Sequence, residues 1–211
     1  LGRLWDKIQL SVKGEAMPAT LVRENYQTTS GNGLRRTVDE WDLLPDDGNR
    51  YEIIEGSVYM ASHPNITHQI VVGKALARLA NYLDENPIGL AVTTPGVIFD
   101  RHNGVIPDVV YLSNEKCQTL IYGGKIHGPP DLIIEILSPG KANTERDRVT
   151  KLRLYERFGV PAYWIIDARR RSVEIYRRQA DALVRVRICQ GDEELTTPLL
   201  PGFSCAVARL F

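Results

Sequence analysis

Two runs dominate the hydrophobic pattern of the chain. In GPPDLIIEILS, Leu132, Ile133, Ile134, Ile136 and Leu137 are apolar without alternation, as in a strand buried on both faces. In HPNITHQIVVGKALARLANYLDENP, Val72, Leu76, Leu79 and Leu83 recur at helical spacing, with Asn65 or Thr67 as cap and Pro87 past the end. A second helix is expected over residues 143 to 158, stopped by Gly159 and Pro161. YEIIEGSVYMA predicts a tight hairpin turning at Glu55-Gly56. LAVTTPGVIFD, VIPDVVYLS, AYWIID, SVEIYRR and ALVRVRI supply further strands, and the apolar tail PGFSCAVARLF docks on the body. Thr37 followed by Glu40 forms a capping box that opens the patterned part of the chain. Residues 1 to 36 are weakly patterned and predict a poorly packed arm, leaving one domain over residues 37 to 211. Helical stripes need sheet faces to cover them, so the fold class is α/β (α+β), a mixed β-sheet flanked by helices with an N-terminal β-hairpin.

Some polar residues break this pattern. Glu135 shares a strand face with Ile133 and Leu137, and Asp108 shares one with Ile106, Val110 and Leu112. A carboxylate placed alone in an apolar face is strongly unfavourable. In the second helix, Leu152, Tyr155 and Phe158 mark the arc facing the sheet, yet Lys151, Arg148 and Thr144 fall within that arc. Lys151 can therefore reach back to Glu135. His68 stands in register with Val72, Leu76 and Leu79 at the first turn of its helix. Together these residues predict a polar pocket at one end of the sheet. Two neighbouring carboxylates suit Mg²⁺ (or Mn²⁺), which prefer oxygen ligands and keep waters for phosphate chemistry. A lysine beside such an ion orients the attacking water or stabilises developing charge. The bland alternative is a buried Glu135–Lys151 ion pair, with Asp108 merely opening a strand after Pro107.

Composition narrows the classes. Lys plus Arg and Asp plus Glu both number 26, so any nucleic-acid site needs local charge asymmetry. Arg169, Arg170, Arg171, Arg177, Arg178, Arg185 and Arg187 could grip phosphates, or form a solvated edge that resists sheet-to-sheet pairing. Cys117, Cys189 and Cys205 are scattered and form no CxxC pair, which predicts neither a zinc site nor a disulfide framework and fits a cytoplasmic protein. No apolar run reaches membrane-spanning length, and residues 1 to 36 hold no signal-like apolar core. Asp131, behind two prolines, reads as structural, and Ser138 has no partner pattern of a nucleophile.

The ordered set IPDVV, then IIEIL with Glu135 27 residues after Asp108, resembles the PD-(D/E)xK nuclease superfamily. With YEIIEGSVYM, His68, PPDLIIEILSP and RDRVTKLRLYERFGVPAYWIID, it is similar to a widespread bacterial group of restriction-endonuclease-like proteins of unknown function. The similarity covers residues 37 to 211 and is most specific from Pro129 to Asp167. It implies a restriction endonuclease-like core, Asp108 and Glu135 as metal ligands, DNA as partner and a homodimer able to cut both strands. The lysine expected two residues after the acid is Leu137 here, and Lys151 on the following helix is its replacement. The first helix offers His68 where an acid is expected, which leaves that role to Glu55 or Glu52 of the hairpin. The function implied is a Mg²⁺-dependent endonuclease acting on DNA. The missing motif lysine and neutral net charge keep open a non-catalytic nucleic-acid-binding or regulatory module, and a hydrolase of smaller phosphoesters is a third option.

Overall fold

The computed structural model describes residues 35–44, 47–61, 65–138 and 141–211. All but the last two positions of the expected arm lie outside these. A 3₁₀ segment (Val38–Leu43) starts where the capping box was expected, with Thr37 N donating to Glu40 Oε1 at 3.3 Å. The hairpin β1 (Arg50–Ile54) and β2 (Ser57–Ala61) turns at Glu55 and Gly56, whose φ angles are 53° and 77°. Helix α1 (Ile66–Glu85) follows, capped by Asn65, whose side chain accepts from His68 N at 2.9 Å.

The next stretch departs from the expected single sheet. LAVTTPGVIFD, with Gly89 before it, forms β3 (Gly89–Thr93) and β4 (Val97–Asp100), and VIPDVVYLS supplies the last residue of β5 (Asn103–Val105) and all of β6 (Val109–Ser113). Each run breaks at a proline, which has no N–H for the ladder. Thr94 also adopts a φ of 51°. The chain thus changes sheet at Thr94-Pro95-Gly96 and again at Pro107. A short α2 (Asn114–Leu120) and strands β7 (Ile121–Tyr122) and β8 (Lys125–His127), which the sequence pattern did not signal, lead into β9 (Leu132–Ile136).

From β9 the chain crosses over through α3 (Lys141–Glu145), a π-helical segment (Arg146–Lys151) and α4 (Leu152–Arg157) to β10 (Ala162–Asp167). Strands β11 (Ser172–Gln179), β12 (Ala182–Gln190), β13 (Glu194–Leu195) and β14 (Cys205–Ala206) and a 3₁₀ turn (Val207–Leu210) complete it. One six-stranded sheet runs β12-β11-β10-β9-β6-β3, and a second runs β2-β1-β5-β4-β8-β7. Strands β9 and β10 are parallel, as a helical crossover requires, while β6 and β9 are antiparallel.

The first sheet carries core on both faces, which is why β9 reads as unbroken oil. Leu132, Ile134, Trp164 and Ile166 pack with Val72, Ala75 and Leu79 of α1 and with the tail residues Phe203 and Leu210. Ile133, Tyr163 and Ile165 face the other way, onto Ile54, Val97 and Val105 of the second sheet and Leu154 and Tyr155 of α4. Glu135 has the parity of Ile133, so it points into this second interface. Among the described residues no helix is long and apolar enough to cross a membrane.

Candidate active site

The strand ends, the hairpin and the crossover meet at one small cavity of about 40 Å³, bordered by Glu52, Asp108, Glu135, Asp147, Lys151 and His68 together with Arg50 and Arg146. The crossover covers the face to which Glu135 points, so Lys151 and Tyr155, one turn apart, both reach that carboxylate. Lys151 Nζ and Tyr155 Oη each donate to Glu135 Oε1 at 2.8 Å. Lys151 Nζ also lies 2.8 Å from Glu52 Oε1 and 3.9 Å from Asp147 Oδ1. Glu52 comes from β1 of the second sheet, and Ile106 N donates to its Oε1 at 2.9 Å. Its Oε2 is buried and has no hydrogen-bond partner. Asp108 sits just before β6, where His68 Nε2 stands 3.0 Å from Oδ1 and Ile136 N donates to Oδ2 at 2.8 Å. Arg50 approaches Asp108 Oδ1 at 3.9 Å. Helix α1 covers the opposite sheet face, but its first turn overhangs the strand ends and delivers His68 there.

Electrostatics here are dominated by burial. Desolvation pushes the Glu135 carboxyl up from 4.5 to about 8; Lys151 opposes the shift, and the Asp108, Asp147 and Glu52 charges add to it. Asp147 is raised for the same leading reason, with Lys151 and Arg146 pulling it down. Lys151 is held above its ordinary value because the charges of Glu135, Glu52 and Asp147 outweigh its own desolvation. Lys151 therefore stays an ammonium, and the acids crowded around it retain protons more readily than free carboxylates do. Arg146 Nε lies 3.5 Å from Asp147 Oδ1, close enough for charge attraction, yet both atoms lack a hydrogen-bond partner.

Asp108, Glu135, Lys151 and His68 are therefore brought together, and Glu55 is not. Glu55 sits in the left-handed turn with a side chain 71% exposed, 3.9 Å from Arg157. Glu52, three residues earlier, is 3% exposed and stands in the cluster. Asp147, Arg146 and Arg50 were missed. Asp147 was legible, since Asp147, Lys151 and Tyr155 repeat at spacing four along the crossover. Arg148 and Thr144 line the wider cleft next door instead. Asp131 is structural as expected, accepting from Ser113 N at 2.7 Å and pairing with Lys116 at 3.0 Å.

The family described as "Uma2: Putative restriction endonuclease" matches residues 38–208. The chain belongs to that family. A solved structure of similar fold is a "putative nuclease belonging to DUF820" from Anabaena variabilis, with 20% sequence identity and a TM-score of 0.68. The match covers 83% of this chain and 97% of that one, and at this identity the likeness bears on the fold alone. Among curated proteins none matches this sequence. The Uma2 assignment puts the chain in the restriction-endonuclease-like superfamily, with its mixed α+β core.

Proposed function

We propose that this Uma2 chain is a divalent-metal-dependent endonuclease hydrolysing phosphodiester bonds in DNA, working as a homodimer. One observation carries the reading: Glu52, Asp108 and Glu135 come from separate elements and border a single cavity with the Lys151 ammonium. Membership of a family described as restriction endonucleases supports the reaction class. The donor set is all oxygen, which suits Mg²⁺ or Mn²⁺. The unpartnered buried Glu52 Oε2 is an acceptor that such an ion would satisfy. Each Asp108 oxygen takes part in one hydrogen bond and keeps a lone pair. Asp108 and Glu135, with Glu52 beside them, would hold the ion, which when bound lowers the pKa of a water and neutralises charge on the phosphate.

The remaining roles belong to the chain's own residues. Lys151 stays protonated, so it donates to a phosphate oxygen or to the attacking water and does not act as base. His68 and Ile136 N fix the Asp108 carboxylate between them. A second reading has a specific observation behind it. Among the described residues no three His, Cys, Asp or Glu side chains stand in a ready metal-binding arrangement, and the acids are drawn around Lys151 instead. A non-catalytic nucleic-acid-binding or regulatory module would keep the ammonium in that place permanently.

Calorimetric titration of Mn²⁺ alongside cleavage assays on single-stranded and duplex DNA separates the two, using wild type and Asp108→Asn. Asn can still accept from Ile136 N, so its thermal midpoint should match or exceed that of wild type. The nuclease reading requires Mn²⁺ binding and cleavage in wild type and loss of both in the variant. Undetectable Mn²⁺ binding by wild type would support the module instead.

A further inference from the structure

Beside the acid cavity lies a wider cleft of about 550 Å³, and the two share His68 and Ser138 as walls. We infer that this cleft is the entry track for a single strand of DNA, with Arg169 and Arg170 gripping its phosphates over a floor set by Arg148. The inference rests on the nuclease reading and narrows its substrate to unpaired DNA.

Charge is the first support. The chain as a whole is neutral, yet Arg148, Arg169 and Arg170 line this cleft against Asp167 alone among acids. Asp167 also serves as the scaffold. Its Oδ1 accepts from Arg169 N and Arg170 N at 3.0 Å each, fixing the turn between β10 and β11 from which both side chains project. Arg148 is pinned from behind, with Nε donating to Glu174 Oε1 at 3.0 Å and its guanidinium 3.6 Å from Asp167. It supplies shape more than free charge. Arg170 is held only loosely, 3.8 Å from Asp167 with its side chain 71% exposed. Among the described residues no carboxylate lies within ion-pair distance of Arg169. Two guanidinium groups are thus available to a polyanion at the rim.

Depth is the second support. Lys151 is 2% exposed, Glu135 and Glu52 3%, and Asp108 6%. A phosphate on an intact duplex brings the stiff second strand with it, which hinders its approach to such recessed groups. A single strand is flexible enough to bend in. A basic groove that follows one backbone is the usual device for holding such a strand.

The test is fluorescence anisotropy in EDTA, with labelled oligothymidine alone and annealed to oligoadenosine, for wild type and the Arg169→Ala/Arg170→Ala double variant. The expected result is tighter binding of the single strand than of the duplex by wild type. The variant should lose about tenfold or more for the single strand, with a salt slope lower by roughly 0.7 per lost phosphate contact. Its fold should persist, because the Asp167 bonds go to backbone N–H groups. Should the alanines unfold it, the Arg169→Lys/Arg170→Lys pair, which keeps the charge, is compared with Arg169→Gln/Arg170→Gln. Equal binding by wild type and variant, preference for duplex, or no binding of either form overturns the inference. Because no turnover is read, a dead catalytic centre would leave this outcome intact, and it is the Asp108→Asn comparison that exposes such a centre.

Discussion

Replacing Lys151 with methionine removes one charge and leaves two buried carboxylates facing each other. The ammonium touches Glu135 and Glu52 at 2.8 Å each, and all three residues are 2–3% exposed. At an effective dielectric of about 20, each contact is worth roughly 6 kcal/mol of gross attraction, most of it offset by the cost of burying the ions. Removing one partner forfeits the attraction while the cost remains, so Lys151→Met should destabilise by about 3–5 kcal/mol at pH 8. For a domain of this size that lowers the thermal midpoint by roughly 6–20 °C. The loss should depend on pH in a definite direction. Glu135 already has its pKa raised from 4.5 to about 8, so the wild-type fold is favoured by this group below 4.5 and loses that contribution as pH rises through 8. Without Lys151 the shift grows, so the variant should suffer most at pH 8 and approach wild type near pH 5, where the acids take up protons. Thermal denaturation followed by circular dichroism across that range reads this directly, and Glu135→Gln added to Lys151→Met should recover part of the loss. A midpoint within 2 °C of wild type at pH 8, or a deficit that is flat with pH, would refute the idea that the ammonium neutralises the acids.

Divalent ion and proton should compete for the same acids. Mn²⁺ should therefore raise the thermal midpoint more at pH 8 than at pH 6 and release protons on binding, seen as calorimetric heats that vary with the buffer's ionisation enthalpy. An equal stabilisation at both pH values would mean that the ion binds elsewhere. Asp131→Ala should cost about 1–3 kcal/mol in urea unfolding by stranding Ser113 N. It should leave Mn²⁺ binding at the acid cavity unchanged, since Asp131 takes no part there.

Much of the fold was readable because its elements obey simple periods. The α1 stripe, the unbroken β9 and the β1–β2 hairpin lie where apolar spacing puts them. The second sheet was not readable, because strands as short as β5, β7 and β8 leave too few positions to show alternation. Each of the two proline-containing runs reads as one strand, whereas the chain changes sheet within both. At the site, Asp108, Glu135 and Lys151 stood out as charges in apolar registers. Choosing between Glu52 and Glu55 needed the turn geometry. Glu55 stands in the turn itself, and its left-handed backbone at φ 53° goes with a side chain turned to solvent. Asp147 stands at the edge of the same helical arc, beside Lys151 and Phe158, and was missed although its spacing of four from Lys151 marks it.

A lysine on the crossover rather than on the strand changes what the cluster does mechanically. At position 137 it would leave the same strand as Glu135 and tie the site only to itself. From the crossover, Lys151 reaches Glu135 of one sheet and Glu52 of the other, and Tyr155 anchors the same helix to Glu135. The three charged groups therefore meet only when both sheets and the crossover have docked. The apolar interface between the sheets supplies the cohesion, and the ionic joint sets their register, because a displacement of an ångström or so would leave buried charges unpaired. An ion entering among Glu52, Asp108 and Glu135 would have to take over part of that neutralisation from Lys151, freeing the ammonium to donate elsewhere. Under the proposed function, the residue that joins the two sheets to the crossover would also be the one released to donate, which would couple stability and chemistry through a single side chain.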